Sequence, residues 1–286
     1  MSTTSTTVST KNLPSVQVKI TLPAELLQFV KAKADTLGLS VATYVRHLVI
    51  EDTKEDNIPT YKMSKEIRIE RKVLSENERL AAELRNKMVL NGVLSLNIVS
   101  SPGAGKTSLL ENTLRDLKKE FRIAVVAGDV QTENDARRLI EAGGEWVKPL
   151  VTGGSCHLDA RMISRALRGL DLGEIDLIII ENVGNLVCPS SYDLGEYMKV
   201  VLISVPEGDD KPLKYPGMFR RSGLMILNKT DLLGTSDFSI DEVKKNARSI
   251  NSDLDIIETS CSTGEGLEEW YKWLRKHVKR AKKKAL

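Results

Sequence analysis

The sequence is poor in the features that mark secreted and membrane proteins. Its 286 residues include three cysteines, Cys156, Cys188 and Cys261, and so small and odd a number argues against a disulfide framework. No apolar run approaches the roughly 20 residues that a membrane-spanning helix needs. Residues 1–10 lack the basic region and the apolar core of a signal peptide. These absences predict a cytoplasmic protein whose thiols are free or bind a metal.

Acidic residues are missing from one long stretch, residues 272–286. Eight lysines and arginines lie there, whereas the rest of the chain carries 34 basic and 39 acidic groups. Cations suit the carboxyl end of a helix because they interact favourably with the helix dipole. We therefore expect a solvated basic helix end, with contact to nucleic acid or an acidic partner as the alternative.

The amino-terminal region divides into two parts. Residues 1–13 are rich in Ser and Thr and have too few apolar groups to offset the entropy of ordering, so we predict disorder. Residues 14–52 follow a different pattern. Apolar and polar residues alternate over residues 16–21 and predict a short strand, and two amphipathic helices follow, separated by Gly38.

A lone strand with two short helices cannot satisfy its own edge, so residues 14–52 are expected to pair with a second copy. Their order resembles the ribbon-helix-helix fold. That resemblance implies an antiparallel ribbon whose outward residues Gln17, Lys19 and Thr21 could enter a DNA major groove. Residues 1–52 carry only five basic and four acidic groups, a weak footprint for a phosphate binder. A dimerising tether without DNA is therefore the alternative.

A larger α/β domain is predicted over residues 67–286. Residues 53–66 are polar, contain Pro59 and predict a linker, after which a helical pattern runs from Ile67 to Gly92. Beyond it, strands rich in Val, Ile and Leu alternate with helical segments, which is typical of a doubly wound, mostly parallel sheet. The strand candidates are residues 93–100, 122–129, 175–183, 199–205, 223–229 and 254–260.

The stretch SSPGAGKT, residues 100–107, follows the first of these strands and opens a helix. It matches the phosphate-binding P-loop, G-x-x-x-x-G-K-(S/T), except that Ser100 replaces the first glycine. A serine there only has to avoid a positive φ angle. We expect Lys106 to reach the β and γ phosphates of a nucleotide and Thr107 to bind Mg²⁺. The predicted nucleotide-binding residues of this loop are Gly103, Ala104, Gly105, Lys106, Thr107 and Ser108.

The base is predicted from NKTD, residues 228–231. A carboxylate at Asp231 can accept two hydrogen bonds from guanine, and an unmatched base would leave it desolvated and unpaired. With Asn228 and Lys229 after a strand, this motif predicts GTP rather than ATP. Ser260 and Cys261 lie where a loop flanking the base is expected.

Two acids end apolar strands, Asp129 and Glu181. A carboxylate in that position is costly unless a cation, a water or a helix end meets it. We predict that both contribute to Mg²⁺ binding and, with Lys106, to hydrolysis. The alternative for either acid is a cap on the segment that follows.

Cys156, His157 and Cys188 form a soft to borderline donor set that suits Ni²⁺ or Zn²⁺. Adjacent residues on a strand point in opposite directions, so Cys156 and His157 share one ion only if they lie in a loop. Otherwise they serve two ions or two subunits. The alternative is that the cysteines and the histidine are ordinary packed residues.

Several of these motifs occur in the order typical of one family. The segments SSPGAGKTSLLE, GDVQTENDARRL, GGSCHLDARMI, ENVGNLVCPSSYDLGE, SVPEGDDKPLKYPGMF, LNKTDLL and STGEGLEEW span residues 63–275 approximately and resemble the HypB family. The resemblance implies a SIMIBI-type P-loop GTPase with Mg²⁺ that forms a homodimer and inserts nickel into nickel–iron hydrogenase. It also implies a metal site at the subunit interface, made by the residues matching Cys156, His157 and Cys188, and a Lys214 that reaches toward the partner's nucleotide.

The same resemblance implies two protein partners, whereas one feature of some family members, a nickel-storage tract, is not expected. The partners would be an accessory delivery protein and the precursor of the hydrogenase large subunit. No cysteine precedes Cys156, and the histidines are His47, His157 and His277, so nickel storage at an amino-terminal tract is not expected. The alternatives are a GTPase that serves another metalloenzyme such as urease, or a DNA-binding regulator that responds to metal or nucleotide.

Overall fold

The computed structural model describes residues 5–6, 20–21, 27–28, 30–31, 34, 41, 65–234 and 237–285. The chain divides into two units, residues 1–71 and 72–286. In the first unit, strand β1 (Ser5–Thr6) pairs antiparallel with strand β2 (Ile20–Thr21).

Most of the amino-terminal predictions fall outside the described residues. The ribbon-helix-helix arrangement of residues 14–52 and most of the linker therefore stay predictions. The predicted disorder of residues 1–13 also stays a prediction, except at Ser5–Thr6, which form a strand. Where residues 23–41 are described, they are helical. One boundary is corrected, because helix α1 begins at Lys65, within the predicted linker.

A sheet of seven parallel strands forms the centre of the second unit, in the order β5-β4-β6-β3-β7-β8-β9. This order is doubly wound about β3, because the chain moves to one side of β3 first and to the other side later. All six strand candidates are confirmed. The strands are β3 (Leu94–Ser100), β4 (Ile123–Asp129), β5 (Trp146–Val151), β6 (Leu177–Glu181), β7 (Met198–Ser204), β8 (Ser222–Asn228) and β9 (Asp255–Glu258).

Helices cover both faces of this sheet and leave the central strands buried. Among the described residues, none of the helices is long and apolar enough to cross a membrane. The helices are α1 (Lys65–Leu90), α2 (Lys106–Leu117), α3 (Asn134–Glu141), α4 (Ala160–Ala166), α5 (Cys188–Ser191), α6 (Lys211–Lys214), α7 (Pro216–Arg221), α8 (Ile240–Ile250) and α9 (Leu267–Lys284).

The sequence patterns missed the edge strand β5. Its residues WVKPLV are all partly or fully exposed, so they do not form the continuous apolar run that marks the buried strands. Pro149 also argued against a strand, yet an edge strand tolerates proline because it pairs on one side only. Strand β5 positions the loop that carries Cys156.

The basic carboxyl-terminal helix α9 is anchored by an aspartate at the start of β6. Asp176 is 5% exposed. Its carboxylate accepts hydrogen bonds from Nζ of Lys282 at 2.7 Å and from the backbone N–H of Arg122 at 2.8 Å. Burial alone would raise the pKa of Asp176, but these bonds to Lys282 and Arg122 hold it below its usual value. Part of the basic tail is therefore structural.

We expect Asp176→Asn to lower the free energy of unfolding by about 2 kcal/mol at pH 7, because charge-assisted hydrogen bonds to a buried group are lost. A lowered pKa stabilises the fold above the unfolded value of about 3.9, and this contribution is lost as pH falls through the folded value. The difference between variant and wild type should therefore shrink at about pH 3, as measured by urea unfolding. The exposed substitution Asp253→Asn is the control, and an equal loss there would contradict the assignment.

Candidate nucleotide and metal sites

The phosphate-binding loop joins β3 to α2 and has the expected backbone. Gly103 and Gly105 have φ angles of 75° and 107°, in the left-handed region that favours glycine. A Cβ atom on Gly105 would collide with Nδ2 of Asn228, so the loop packs directly on the guanine motif. Ala104 is buried, and Ser108 lies in the first turn of α2.

Ser100 avoids a positive φ angle, as a residue with a side chain should. Among the described residues, Lys229 is the one non-glycine residue with a positive φ, so Ser100 satisfies the sequence expectation. The Nζ atom of Lys106 donates a hydrogen bond to Oγ of Ser100 at 2.9 Å. Burial lowers the pKa of Lys106, although nearby carboxylates oppose the shift. A buried ammonium group held by a hydroxyl is well placed to receive an anion.

Glu181 provides an unpaired carboxylate oxygen beside the loop. The hydroxyl of Thr107 donates to Oε1 of Glu181 at 2.7 Å. Its Oε2 is buried and has no hydrogen-bond partner among the described residues. Burial raises the pKa of Glu181 to about 7, against the effect of Lys106 and Thr107. A hard oxygen without a partner next to a threonine hydroxyl fits the ligand preference of Mg²⁺.

Asp129 holds the turn that follows β4 rather than capping helix α3, whose first turn has no side-chain cap. Its Oδ1 accepts hydrogen bonds from the backbone N–H groups of Gln131 at 2.8 Å and Thr132 at 2.7 Å. Burial alone would raise the pKa of Asp129, but these backbone bonds hold it below its usual value. The carboxylate is ionised and orders the loop after β4. Its role in hydrolysis stays a prediction.

The guanine motif is held by two neighbouring segments. Nδ2 of Asn228 donates to the backbone carbonyl of Ala104 at 2.9 Å, and its Oδ1 accepts from the backbone N–H of Cys261 at 3.2 Å. The carboxylate of Asp231 accepts from the hydroxyl of Ser260 at 2.5 Å. Asn228, Asp231, Ser260 and Cys261 thus meet at the carboxyl ends of β8 and β9.

Three of the predicted nucleotide-binding residues, Lys229, Cys261 and Lys214, have different surroundings. Lys229 has a φ of 61°, which turns the chain between Asn228 and Asp231. Burial raises the pKa of Cys261 to about 11, so its thiol is neutral and contributes bulk rather than charge. Lys214 lies on α6 and pairs with Asp210 at 2.6 Å in the same chain, and its predicted reach toward a partner is untested.

The three metal-ligand candidates meet at one point of a single chain. Cys156 and His157 lie in the loop after β5, and Cys188 is the first residue of α5. Their ligand atoms all lie within 4.8 Å of one another. The two Sγ atoms are 2.8 Å apart, and Sγ of Cys156 is 3.8 Å from Nδ1 of His157. One ion can therefore contact all three without a second subunit.

The surroundings of this cluster favour an accessible site. Cys156 is exposed and the other two ligands are partly exposed. The imidazole of His157 stacks on the ring of Tyr192, with centroids 3.8 Å apart. Burial lowers the pKa of His157, which keeps its nitrogen lone pair available at neutral pH. Nδ2 of Asn185 donates to the backbone carbonyl of Cys156 at 3.2 Å.

Sequence reasoning missed one acid at the nucleotide site, Glu207. Its Oε2 accepts hydrogen bonds from the backbone N–H and the hydroxyl of Ser204, at 2.8 and 2.9 Å. Its Oε1 is buried without a hydrogen-bond partner among the described residues and forms an ion pair with Nζ of Lys211 at 3.8 Å. It follows the end of β7, next to β3. The signal was the same as for Asp129 and Glu181, an acid shortly after an apolar strand.

Known proteins resemble this chain in sequence and in fold. Residues 94–258 match the family model described as CobW/HypB/UreG, nucleotide-binding domain. The hydrogenase maturation factor HypB of Rhizobium leguminosarum bv. viciae is 48% identical over 218 residues, 76% of this chain and 73% of that protein. The hydrogenase/urease maturation factor HypB of Helicobacter pylori is 44% identical over 214 residues, 73% and 87% of the two chains. The crystal structure of HypB from Helicobacter pylori in complex with nickel has a TM-score of 0.68 at 42% identity and covers 72% of this chain and 96% of its own.

We expect the affinity for Mg²⁺ to depend on the protonation of Glu181. With a pKa of about 7, the carboxyl is mostly protonated at pH 6 and mostly ionised at pH 8. Mg²⁺ affinity should therefore rise about tenfold from pH 6 to pH 8. Titration of the GDP-bound chain with Mg²⁺ at pH 6 and at pH 8 measures this affinity.

The control separates this effect from titration of the nucleotide phosphate. Glu181→Gln should bind Mg²⁺ weakly and lose the protein's share of the pH dependence. The exposed substitution Glu141→Gln should behave as wild type. Identical pH profiles for wild type and Glu181→Gln would contradict the role of this carboxylate.

Proposed function

The chain belongs to the HypB family of hydrogenase maturation factors, and from this premise we propose that it is a GTP-hydrolysing metallochaperone. It binds nickel at Cys156, His157 and Cys188 and delivers the metal during maturation of nickel–iron hydrogenase. One observation carries this proposal. The segment that ends β6 with the buried carboxylate of Glu181 continues directly to Cys188, whose thiol meets the other two ligands.

The nucleotide is held by groups that the fold already presents. The backbone N–H groups of the glycine-rich loop and the ammonium of Lys106 bind the phosphates. The carboxylate of Asp231 accepts the two guanine N–H donors, which rejects adenine. Asn228 holds this pocket against the phosphate loop. GTP is therefore the substrate.

Hydrolysis requires positioning and charge neutralisation rather than covalent catalysis by the protein. Thr107 and Glu181 supply the protein ligands for Mg²⁺, which would neutralise charge on the phosphates when bound. Asp129 orients the attacking water after the loop at residues 130–133 rearranges. Lys106 stabilises the charge that develops on the phosphate oxygens.

Nickel is cargo, and its ligands suit temporary binding. Two thiols and one imidazole favour Ni²⁺ or Zn²⁺ over Mg²⁺. The partly exposed position of the cluster leaves it open to a recipient protein. Because the γ phosphate orders the loops after Asp129 and Glu181, its loss on hydrolysis changes the segment that leads to Cys188. The nickel-loaded and released states then follow the nucleotide state.

The proposed function also includes a homodimer and two recipient proteins. We infer a homodimer in which residues 14–52 pair two chains and Lys214 reaches the partner's nucleotide. The recipients are an accessory delivery protein and the hydrogenase large-subunit precursor. Contact between the amino-terminal unit and DNA is a further prediction that rests on sequence pattern alone.

Delivery to urease is a second candidate. A relative in Helicobacter pylori is named for both hydrogenase and urease maturation. The nickel site described above is compatible with either recipient, because the same donor set binds the same cargo. Nickel transfer to each purified apoenzyme precursor distinguishes the two.

We expect Cys188→Ala to weaken Ni²⁺ or Zn²⁺ binding by more than about tenfold, since even outer-shell partners of a metal ligand cost 10–100-fold. GTP affinity should stay unchanged, because Cys188 lies outside the nucleotide site. Metal titration and fluorescent-nucleotide binding measure the two effects. The matched control is Ser191→Ala on the same short helix. Unchanged metal affinity in Cys188→Ala would remove this residue from the ligand set.

The dimer is tested by sedimentation of the full chain and of residues 60–286, each with and without GTP. If the amino-terminal unit holds the dimer, the full chain should be dimeric without nucleotide, whereas the shortened chain should associate only with GTP. A monomeric, nucleotide-free full chain would contradict this arrangement.

A further inference from the structure

A row of buried polar side chains runs from the end of β6 across β3 to the start of β7. Strands in this part of the sheet are otherwise filled with Val, Ile and Leu. The row consists of Asn182, Asn97, Glu196 and Lys199, which are 1%, 0%, 5% and 8% exposed. Two of its members, Asn97 on β3 and Lys199 on β7, are direct neighbours in the sheet.

Hydrogen bonds join these side chains into one continuous network. Nδ2 of Asn182 donates to Oδ1 of Asn97 at 3.1 Å, and Nδ2 of Asn97 donates to Oε1 of Glu196 at 3.1 Å. Nζ of Lys199 donates to the same Oε1 at 2.5 Å. Oε2 of Glu196 accepts from the backbone N–H of Leu194 at 2.7 Å. Networks whose buried groups are paired in this way are rigid.

Stability alone does not account for this network. Burying an ammonium and a carboxylate costs desolvation free energy, and apolar residues of similar volume often serve a core equally well. A buried ion pair is therefore weak evidence for a stabilising role. The residues at the two ends of the network indicate which groups the network positions.

Each end of the network adjoins one of the two sites. At one end, Asn182 follows Glu181, the Mg²⁺ ligand candidate, directly in the chain. At the other end, Nζ of Lys199 donates to the backbone carbonyl of Tyr192 at 2.9 Å. The ring of Tyr192 stacks on the imidazole of His157, a nickel-ligand candidate.

We propose that Asn97, Glu196 and Lys199 are positioning residues that couple the nucleotide state at Glu181 to the orientation of His157 through Tyr192. The proposal rests on the proposed GTP and nickel sites and adds a second connection between them. The first connection runs along the chain from Glu181 to Cys188. The network ends at Tyr192, which contacts His157 rather than Cys188. A change of nucleotide therefore moves His157 as well as Cys188.

Hydrogen bonds and an ion pair hold the chain segment at the Tyr192 end of the network from two sides. Asp193, the next residue, pairs with Arg85 of α1 at 2.5 Å and accepts from the backbone N–H of Gly195 at 2.9 Å. Asn77 donates to the carbonyl of Asp193 at 2.8 Å and accepts from the first residue of α4 at 2.8 Å. A segment held on both sides moves as a unit rather than fraying, which coupling between two discrete states requires.

The test follows the imidazole signals of the full chain without nickel or zinc. The chain has three histidines, so isotope labelling of histidine at the ring carbon Cε1 gives one nuclear magnetic resonance signal for each, and His47 and His277 serve as internal references. Exchange of GDP for a non-hydrolysable GTP analogue, with Mg²⁺, should shift the His157 signal in wild type. Asn97→Leu removes the central amide at similar volume and should abolish that shift. Equal shifts in wild type and Asn97→Leu, or no shift in wild type, would overturn the proposal.

A matched control separates coupling from general loss of a buried hydrogen bond. Thr113 is 0% exposed, and its hydroxyl accepts from Nε1 of Trp270 at 3.0 Å, away from the network. Thr113→Val should keep the wild-type shift of His157. If Asn97→Leu does not fold, the double substitution Glu196→Gln with Lys199→Met replaces it, because removing both charges avoids an unpaired buried ion.

Metal affinity gives a second readout. In wild type, the Kd for Ni²⁺ should differ between the GDP and analogue states by about fivefold or more, the usual size of coupling. In Asn97→Leu, this ratio should fall toward one while GTP hydrolysis and nickel binding persist. A wild-type ratio that persists in Asn97→Leu would overturn the network and leave the proposed function intact. A ratio of one in wild type that binds both ligands would overturn both the network and the nucleotide-dependent release of nickel. A chain that binds no nickel or hydrolyses no GTP would overturn the proposed function itself.

Discussion

The buried carboxylate of Glu181 is the constraint on which the nucleotide site depends. Its Oε2 has no hydrogen-bond partner among the described residues, and the ammonium of Lys106 nearby is held by a serine hydroxyl. Each of these buried groups costs free energy unless an opposite charge meets it. The phosphates of a nucleotide satisfy the ammonium, and a divalent cation satisfies the carboxylate. The fold therefore places the ammonium and the carboxylate where one nucleotide with its divalent cation can neutralise both.

Strand order then decides which other groups join this pair. Because β6, β3, β7 and β8 are neighbours, their carboxyl ends place Glu181, the phosphate loop, Glu207 and Asn228 along one edge. The loops after β5 and β6 bring Cys156 and Cys188 together, although 32 residues separate them in sequence. The candidate nucleotide and metal residues thus lie at the same edge of the sheet.

Much of the fold and part of the site could be predicted from sequence. The phosphate loop and NKTD are local motifs whose spacing carries their geometry, and six strands were recognisable as buried apolar runs. Strand β5 was missed because an edge strand is half exposed, and Pro149 argued against it. The convergence of Cys156, His157 and Cys188 depends on tertiary distance, so one ion, two ions and two subunits all stayed open. The buried network was missed because Asn97 and Lys199 read as interruptions of apolar strands rather than as partners across the sheet.

The metal cluster differs from a structural metal site in the way that a carrier requires. Structural zinc sites are closed by four protein ligands and contribute to folding. Here one chain supplies three ligand atoms within 4.8 Å, on loops, with Cys156 exposed. The segments that hold them are packed independently, by Asn185 on Cys156 and by Tyr192 on His157. Three ligand atoms from the described residues are fewer than the four that close a structural zinc site, so a donor from a recipient protein can complete the coordination of the cargo.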